Sequence, residues 1–414
     1  MRRFLCLPRD DLLPDGLPRD DALVMMHLFI NALAASAGGG LTYIRNVVPH
    51  LARRDGLSAT VLLDARFARE LQTSANVTFL ERDISSSVAV RFYDEQRAVP
   101  RLVRQCGADV LLCTGNFALL NSPVPQILLS RNALYTSRDF YADLRSRGDY
   151  RLWFDTAVKG AFARWSIQLA DTTVAPSEAF AEELRSWTGK PTIAIHHGFD
   201  RSEFVRDQSP LPEDIREKLD SARDALRLLF VSHYNYYRNF ETLIRALPLI
   251  QQLLGSRKVV LFLTCKLADG ANPGAYRAGS AAALVRELRL SSNVVELGAV
   301  PYGLLRHLYR AAHIYVSPAY AESFAHPLVE AMSSALPVVA SNLPVHREIC
   351  GPAALYFDRF SPQELAERVA QIALSADLAQ KLSQAGIDQS SAFSWKGHVD
   401  RIVTLAENLI SRRE

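Results

Sequence analysis

The feature of this chain that most restricts its fold is a repeated alternation between short apolar runs and longer amphipathic stretches. In the first half, apolar runs suited to buried strands lie at 22–30, 59–63, 109–112, 126–129 and 172–175. The stretch 41–54 gathers its apolar residues on one helical face. Short β-rich runs separated by helices predict parallel strands joined by crossovers. We therefore expect the first half to form a doubly wound α/β domain.

The same pattern starts again after a polar stretch at 200–224, which predicts a second α/β domain. Its strand candidates are 228–231, 258–264, 293–297, 313–317, 337–340 and 354–357. Its helix candidates are 240–254, 281–290, 304–311, 327–334, 361–375 and 378–386. Ligands of such folds bind beyond the carboxyl ends of the strands. A cleft between the two lobes is therefore the expected binding site.

The same reading predicts where the domains begin and end. We expect an N-terminal lobe over 1–205, with an irregular start at 1–20. A linker follows over 206–226, and a C-terminal lobe extends over 227–392. A final helix within 393–414 is expected to pack back across the lobes.

Composition excludes several other classes of protein. Of 414 residues, 49% are hydrophobic and 22% charged, which is typical of a globular protein and not of a disordered or fibrous one. The 47 Lys and Arg against 44 Asp and Glu are too balanced for a nucleic-acid binder, which needs a concentrated basic face. The five scattered cysteines lack metal-ligand spacing and indicate reduced thiols. Because there is no secretory signal and no apolar run of about 20 residues, we expect a cytoplasmic protein.

The strongest chemical signal is a pair of glutamates around a predicted helix start. Glu322 lies in the loop before that helix, Pro327 suits its first turn, and Glu330 lies about one turn inside. The helix start would present the backbone amides of Phe324, Ala325 and His326. Such donors favour a phosphate or a hydroxyl-bearing ligand, and each carboxylate can accept several hydrogen bonds. From the pair alone, a capped helix with two solvated glutamates is an equally good interpretation.

An ordered series of motifs surrounds this pair. It comprises LGAVP at 297–301, LYRAA at 308–312, YVSP at 315–318, LPVVAS at 336–341 and RE at 347–348. The series resembles the C-terminal half of the retaining glycosyltransferases of family 4, whose Glu-x7-Glu motif is matched by Glu322 and Glu330. The resemblance is close over 228–358 and looser in the first half. It implies an α/β structure of the GT-B type, with two Rossmann-like doubly wound lobes that face a central cleft. The N-terminal lobe would bind the acceptor, and the C-terminal lobe would bind the nucleotide-sugar.

The resemblance also assigns roles to individual residues. Glu330 would bind the ribose hydroxyls of a nucleotide-sugar donor, and Glu322 would contact the transferred sugar near its reacting carbon. The neighbouring donor-binding positions are Ser323, Phe324, Ala325, His326 and Pro327. Arg238 stands where the family usually has a lysine on the donor diphosphate, and a guanidinium can bind phosphate bidentately. Taken alone, Arg238 would be interpreted as a solvated residue at a helix start.

Several positions in the second half depart from the family pattern. The usual Gly-Arg is replaced by Ser232 and His233, so an imidazole stands in place of one of two expected cations. Ala325 and His326 replace a common Gly-Leu pair, and Ala335 replaces a common glycine. A β-carbon at position 325 narrows the space above the sugar but leaves the backbone amide in place.

Two features of the first half complete the predicted site. Gly39 and Gly40, in the cluster Ser36–Gly40, follow the first strand and open a helix, where backbone amides can approach a phosphate or sugar. Arg131 and Asn132 follow the strand at 126–129, where many relatives have a histidine. We include Asn132 among the catalytic candidates, although neither side chain is a good general base at neutral pH.

The predicted function is retaining transfer of a hexose from a nucleoside-diphosphate-sugar to a saccharide or lipid-linked acceptor, in polysaccharide or glycolipid biosynthesis of the cell envelope. No metal or other cofactor and no nucleic-acid partner is expected. The alternatives are a GT-B epimerase or phosphorylase, and a non-catalytic partner subunit that binds a nucleotide-sugar. The basic and aromatic stretch 143–171 could contact the inner face of the cell membrane peripherally. An ordinary helix with an apolar core face is slightly preferred.

Overall fold

The computed structural model describes residues 26–35, 39–68, 71, 74–83 and 88–412. The chain divides into two compact units. Unit 1 consists of Met1–Thr136, Ala157–Gly198 and Trp395–Glu414, and unit 2 consists of Ser137–Thr156 and Phe199–Ser394. Each unit contains one fully parallel sheet with helical crossovers, as the alternating pattern predicts.

The sheet of unit 1 has seven strands within the described residues. They are β1 (Met26–Asn31), β2 (Leu57–Asp64), β3 (Val77–Arg82), β4 (Val110–Cys113), β5 (Gln126–Leu129), β6 (Thr172–Ala175) and β7 (Thr192–Ala194). Their order in the sheet is β3-β2-β1-β4-β5-β6-β7. The helices up to residue 190 are α1 (Gly39–Leu51), α2 (Ala65–Ala68), α3 (Val88–Gln105), α4 (Arg138–Ser146), α5 (Tyr150–Leu169) and α6 (Glu178–Thr188). The strand order reverses its direction between β1 and β4, which is where ligands bind in such sheets.

The sheet of unit 2 has six strands in the described part of the chain. They are β8 (Leu226–Phe230), β9 (Val259–Leu263), β10 (Val294–Glu296), β11 (Ile314–Ser317), β12 (Val338–Ser341) and β13 (Ala354–Phe357), in the order β10-β9-β8-β11-β12-β13. The later helices are α7 (Arg201–Phe204), α8 (Glu213–Asp220), α9 (Phe240–Leu254), α10 (Gly279–Glu287), α11 (Leu305–Ala311), α12 (His326–Ser333), α13 (Pro344–Cys350), α14 (Pro362–Leu374), α15 (Ala376–Ser390) and α16 (Trp395–Ser411). Here the order reverses between β8 and β11.

The final helix belongs to unit 1. One face of α16 is buried in the core of that unit through Trp395, Val399 and Ile402, beside strand residues such as Leu28 and Ile30. We expected this helix to pack across the lobes; its buried apolar face lies in the core of unit 1. The β1 strand beside it is buried because helices cover both faces of a parallel sheet.

The stretch 206–226 is not a separate linker, because it forms part of unit 2. Within it, α8 buries Ile215 and Leu219, which lie four positions apart and therefore on one helical face. Two apolar residues among many charged ones gave no visible apolar run. Burial of this single narrow face is enough to fix the segment to the unit.

The segment Ser137–Thr156 also belongs to unit 2, although the sequence places it between strands of unit 1. Arg147 holds it there by donating to Glu241 at 3.0 Å, and a second hydrogen bond, to Asp143 of the same segment at 2.8 Å, orients the guanidinium. Glu241 also accepts hydrogen bonds from Tyr234 at 2.9 Å and Ser280 at 3.0 Å. Burial alone would raise the pKa of Glu241, but Arg147 and these donors lower it below its usual value. This buried network keeps the carboxylate ionised.

Candidate active site

The predicted donor residues of unit 2 lie where its strand order reverses. Strands β8 and β11 are neighbours in the sheet, with Leu228 paired to Ile314 and Leu229 to Tyr315. The loop 231–239 follows β8 and the loop 318–325 follows β11, so both loops leave the carboxyl edge of the sheet side by side. Parallel α/β sheets bind their ligands at this position.

Arg238 and Glu322, one from each loop, form an ion pair. Their side chains are only 20% and 10% exposed. A short 3-10 turn, Tyr236–Arg238, orients the arginine, whose guanidinium carbon lies 5.1 Å from the centre of the Tyr237 ring. Burial alone would raise the pKa of Glu322, but Arg238 lowers it below its usual value, so the carboxylate is ionised at neutral pH. The site thus holds one buried cation and one buried anion in direct contact.

Glu330 lies in the second turn of α12 and is 4% exposed. The Tyr309 hydroxyl donates to its carboxylate at 2.7 Å, and Tyr302 donates to it as well. Burial raises the pKa of Glu330 to about 7, although the two tyrosine hydrogen bonds oppose that shift. Among the described residues no cation forms an ion pair with Glu330, whereas Glu322 is paired with Arg238. It is therefore partly protonated at neutral pH.

The start of α12 has an unusual backbone. Ala325 precedes the helix with φ of 67° and ψ of 61°, the left-handed region that glycine adopts freely. Pro327 occupies the first turn, and the Leu328 amide donates to the Ala325 carbonyl at 3.0 Å. An L-residue in this conformation costs about 1–2 kcal/mol. The chain thus keeps the backbone shape of a glycine here while adding a methyl group beside Glu322.

The other predicted residues around this helix start are close to it. The Ser323 amide donates to Glu322 Oε1 at 3.2 Å. The Phe324 ring lies 4.8 Å from the His326 ring, centre to centre, and 5.5 Å from that of Phe393. These aromatic contacts fix the loop against the body of unit 2.

Ser232 and His233 follow β8, as predicted. The Ser232 amide donates to the Thr264 hydroxyl at 2.9 Å, and its own hydroxyl donates to the His233 carbonyl at 2.7 Å. Burial and the nearby Arg238 lower the pKa of His233. The imidazole is therefore neutral at pH 7, and Arg238 is the charged group of this loop.

The sequence did not single out His346, which is fully buried in α13 next to this site. Its Nδ1 lies 2.9 Å from the Ser341 carbonyl oxygen, and the Ser341 hydroxyl donates to the carbonyl of Ala319 in the Glu322 loop. Because a carbonyl only accepts, Nδ1 carries the proton and Nε2 is a lone-pair acceptor. Burial lowers the pKa of His346 to about 4. Nε2 is buried and has no hydrogen-bond partner within the described residues.

The predicted residues of unit 1 gather around the end of its own strand β1. Gly40 opens α1, and a β-carbon there would lie 3.0 Å from the Ala35 Cα and 3.6 Å from an Arg131 guanidinium nitrogen. The Arg131 side chain donates to the Thr114 carbonyl at 2.9 Å. Gly39 begins the same helix. The preceding part of the glycine cluster, 36–38, lies outside the described residues.

The Asn132 side chain caps a turn. Its side-chain oxygen accepts from the Leu134 amide at 3.1 Å and caps the short turn Ala133–Tyr135. Gly115 and Asn116, which follow β4, were not among the residues predicted from the sequence. A β-carbon on Gly115 would lie 2.6 Å from the Ala34 Cβ, and the Asn116 side chain accepts from the Arg131 amide at 2.7 Å. The sequence signal that could have indicated them is a glycine at a strand end followed by asparagine, a residue that tolerates positive φ.

No group of three or more His, Cys, Asp or Glu side chains in the described part of the chain could hold a metal ion. None of the helices found there combines the length and the apolar character needed to cross a membrane.

Two family models match the chain. The model of "Glycosyl transferases group 1" matches residues 212–389, and that of "Glycosyltransferase Family 4" matches residues 37–203. Together they cover about four fifths of the 414 residues. The first match contains Arg238, Glu322 and Glu330, and the second contains Arg131 and Asn132.

Relatives match shorter stretches. O-antigen chain mannosyltransferase B of Escherichia coli is 37% identical over 101 residues, which are 24% of this chain and 26% of that protein. D-inositol 3-phosphate glycosyltransferase of Thermobifida fusca is 26% identical over 247 residues, which are 57% of this chain and 55% of that protein. The chain thus matches about a quarter of the first relative's length and about half of the second's.

Solved structures match nearly the whole chain. Sucrose-phosphate synthase from Thermosynechococcus elongatus has a TM-score of 0.75 at 17% identity, and the match covers 94% of this chain and 100% of that one. HepE of Anabaena in complex with UDP-glucose has a TM-score of 0.68 at 17% identity, with 92% and 100% covered. At these identities the similarity shows a shared fold.

Proposed function

The chain belongs to glycosyltransferase family 4 and has the GT-B fold, and from this premise we propose that it transfers a sugar from a nucleoside-diphosphate-sugar to an acceptor hydroxyl. The transferred sugar is a hexose, and its anomeric configuration is retained. One observation carries this proposal: Arg238 and Glu322 form a buried ion pair at the point where the strand order of unit 2 reverses.

The ion pair has a function in donor binding. A diphosphate that enters the site competes with Glu322 for the Arg238 guanidinium, because both anions match its two parallel donors. Glu322, released from the arginine, accepts hydrogen bonds from hydroxyls of the transferred sugar. Arg238 then faces the oxygens on which negative charge grows as the glycosidic bond breaks. A donor fixed in position before the reaction stabilises that charge without reorganisation.

Glu330 serves the nucleoside part of the donor. In the free protein, Tyr309 and Tyr302 supply its hydrogen bonds. Ribose offers two adjacent hydroxyl donors, which a carboxylate can accept together. Because the carboxyl group lies in the second turn of α12, it is held by a rigid element. The nucleoside is thereby fixed at a constant distance from the reacting carbon.

The relatives support this donor class and suggest the pathway. HepE binds UDP-glucose in its solved structure, and O-antigen chain mannosyltransferase B is, by its name, a mannosyltransferase of the O-antigen chain. We extend both features to this chain: the donor is a nucleotide-hexose, and the acceptor is a saccharide or lipid-linked saccharide of the cell envelope.

A second function, a non-catalytic subunit that binds a nucleotide-sugar, is favoured by two observations. Asn132 is occupied as a turn cap, and the lowered pKa of His233 leaves its imidazole neutral at pH 7. Such a subunit would bind the donor without releasing the nucleoside diphosphate.

Nucleoside diphosphate release from UDP-, GDP- and ADP-hexoses, measured with the full chain and simple saccharide acceptors, distinguishes the two functions. An enzyme releases the diphosphate, and R238A lowers that rate about a hundredfold, since one such donor is worth about 3–4 kcal/mol. R238K, which keeps the charge, tests whether lost folding explains the defect. R54A, which breaks the Arg54–Asp400 ion pair of unit 1, is the matched control and keeps the wild-type rate. Donor binding without release by the wild type would support the non-catalytic subunit instead.

A further inference from the structure

Helix α5 exposes several of its large apolar residues. The side chains buried along it are small or short, apart from one isoleucine: Thr156, Gly160, Ala163, Ser166 and Ile167. The exposed side chains include Phe154 at 66%, Val158 at 39%, Phe162 at 43% and Trp165 at 45%. These positions recur every three or four residues, so they share one helical face. Helix α5 therefore has a buried face, and its exposed face carries aromatic residues as well as charged ones.

Helix α3 extends the exposed apolar surface. Its Phe92 ring lies 5.7 Å from the Phe162 ring, centre to centre, so the two helices are neighbours within unit 1. On α3, Tyr93 is 53% exposed and Val90 is 48% exposed. The Arg97 guanidinium lies 4.4 Å from the centre of the Tyr93 ring. We define the basic–aromatic face as Val90, Tyr93, Val158, Phe162 and Trp165 together with the arginines of α3 and the arginines and lysine of α5.

Positive charge is concentrated on these two helices. Helix α3 contains four arginines and two acidic residues, and α5 contains two arginines, one lysine and one acidic residue. Together they carry a formal charge of +4, whereas the whole chain carries +3. The rest of the chain is therefore almost neutral. The apolar face and the basic charge coincide on one part of unit 1.

We propose that the basic–aromatic face binds the surface of an anionic lipid bilayer. Tryptophan and tyrosine prefer the boundary between lipid headgroups and acyl chains, because their rings are apolar and their polar atoms stay hydrated. Arginine and lysine around them attract anionic headgroups. A helix with this arrangement lies in the plane of the interface and does not cross it. The face fits a bilayer, because it combines exposed apolar side chains with the cations of two basic helices.

Vesicle flotation of the full chain tests this proposal. The probes are vesicles of phosphatidylcholine alone and vesicles that contain about one third phosphatidylglycerol. We expect flotation with the anionic vesicles only, and a decrease of about tenfold in bound protein when salt is raised to about 0.5 M, because salt screens the headgroup attraction. The double variant F162S/W165S is expected to lose about tenfold in vesicle binding. Both side chains are exposed, so the fold should be kept.

A matched control replaces equally exposed apolar residues of unit 2. Leu253 is 49% exposed and Leu374 is 73% exposed, and L253S/L374S is expected to float like the wild type. Absence of flotation with anionic vesicles would overturn the proposal, as would equal flotation of the wild type and F162S/W165S. A wild-type dimer in sedimentation velocity that F162S/W165S converts to monomer would assign the face to a second copy instead. Flotation requires no sugar transfer, so its outcome is independent of the proposed enzymatic function.

Discussion

Replacing Glu330 by Gln should make the protein more stable at alkaline pH. Burial raises the pKa of this carboxyl group from 4.5 to about 7 in the folded state. Between these two values the unfolded chain loses the proton while the folded chain keeps it, so the stability of the wild type falls as pH rises. Glutamine accepts from Tyr309 as the protonated acid does but cannot ionise. The variant therefore avoids this loss.

The expected size follows from the two pKa values. Linkage between pKa values of 4.5 and about 7 gives a loss of about 2.5 kcal/mol between pH 5 and pH 8.5. Urea unfolding of the wild type and E330Q at both pH values, followed by tryptophan fluorescence, measures it. The difference between the two proteins should shift by about 2.5 kcal/mol in favour of E330Q. Groups that titrate in both proteins cancel from this difference.

Glu241 provides a control of opposite sign. Its pKa is lowered, so its carboxylate adds stability above the unfolded pKa and loses that contribution as pH falls through the folded pKa. E241Q should therefore be less stable than the wild type at pH 8.5, and the gap should close in acid. A difference between E330Q and the wild type that stays constant from pH 5 to pH 8.5 would refute a buried, protonated Glu330.

Three other outcomes are expected. A335G should stabilise the protein by about 0.5–1 kcal/mol in urea unfolding, because the exposed Ala335 has φ of 59° after α12; a loss of stability would show that no strain is relieved. R147A should destabilise unit 2 by about 3 kcal/mol, because Glu241 would lose its buried cation. The same variant should make the segment 137–156 accessible to proteases. R151A, at an exposed position, is the control and should change little. Resistance of R147A to cleavage in that segment would contradict the anchoring role. H346F should weaken binding of the nucleotide-sugar, since Nε2 is a buried acceptor beside the Glu322 loop, and should also lower the urea midpoint, because the Ser341 carbonyl loses its Nδ1 donor; equal nucleotide-sugar affinity would make His346 purely structural.

Much of the architecture could be predicted from the sequence because buried parallel strands form visible apolar runs. The predicted strands at 126–129, 172–175 and 354–357 match β5, β6 and β13 residue for residue. The strands that were missed are edge strands. Only Val77 of β3 is fully buried, and the three residues of β7 include the exposed Ile193. An edge strand has one uncovered side, so its sequence lacks a continuous apolar run.

The candidate site was predictable where a short motif contains it. Glu322 and Glu330 lie eight positions apart. Glu322 precedes α12 and Glu330 lies inside it, and Pro327 marks the first turn of that helix. His346 and Tyr309 could not be found this way, because their contacts depend on which loops meet after folding. The apolar pattern also could not reveal that Phe154, Phe162 and Trp165 of α5 are exposed, since apolar residues lie on both sides of that helix.

The sequence-based boundaries differ from the units for a related reason. A break in apolar pattern suggested a linker at 206–226, but a helix needs only a few buried side chains to be fixed to a domain. The segment 137–156 likewise contacts the rest of unit 2 through ion pairs such as Arg147–Glu241 and Asp139–Arg359, and charged residues alone do not indicate burial.

Calorimetric titration of nucleoside diphosphates and their hexoses into the wild type and R238A tests most directly whether Arg238 receives an activated sugar. We expect the wild type to bind one nucleotide series, and R238A to bind it about tenfold or more weakly, because a charge-assisted contact to phosphate is lost. R238Q/E322Q removes both charges together, so it separates lost binding from the strain of an unpaired Glu322. Binding of no nucleotide by the wild type, or equal affinity in R238A, would contradict a donor site at this ion pair.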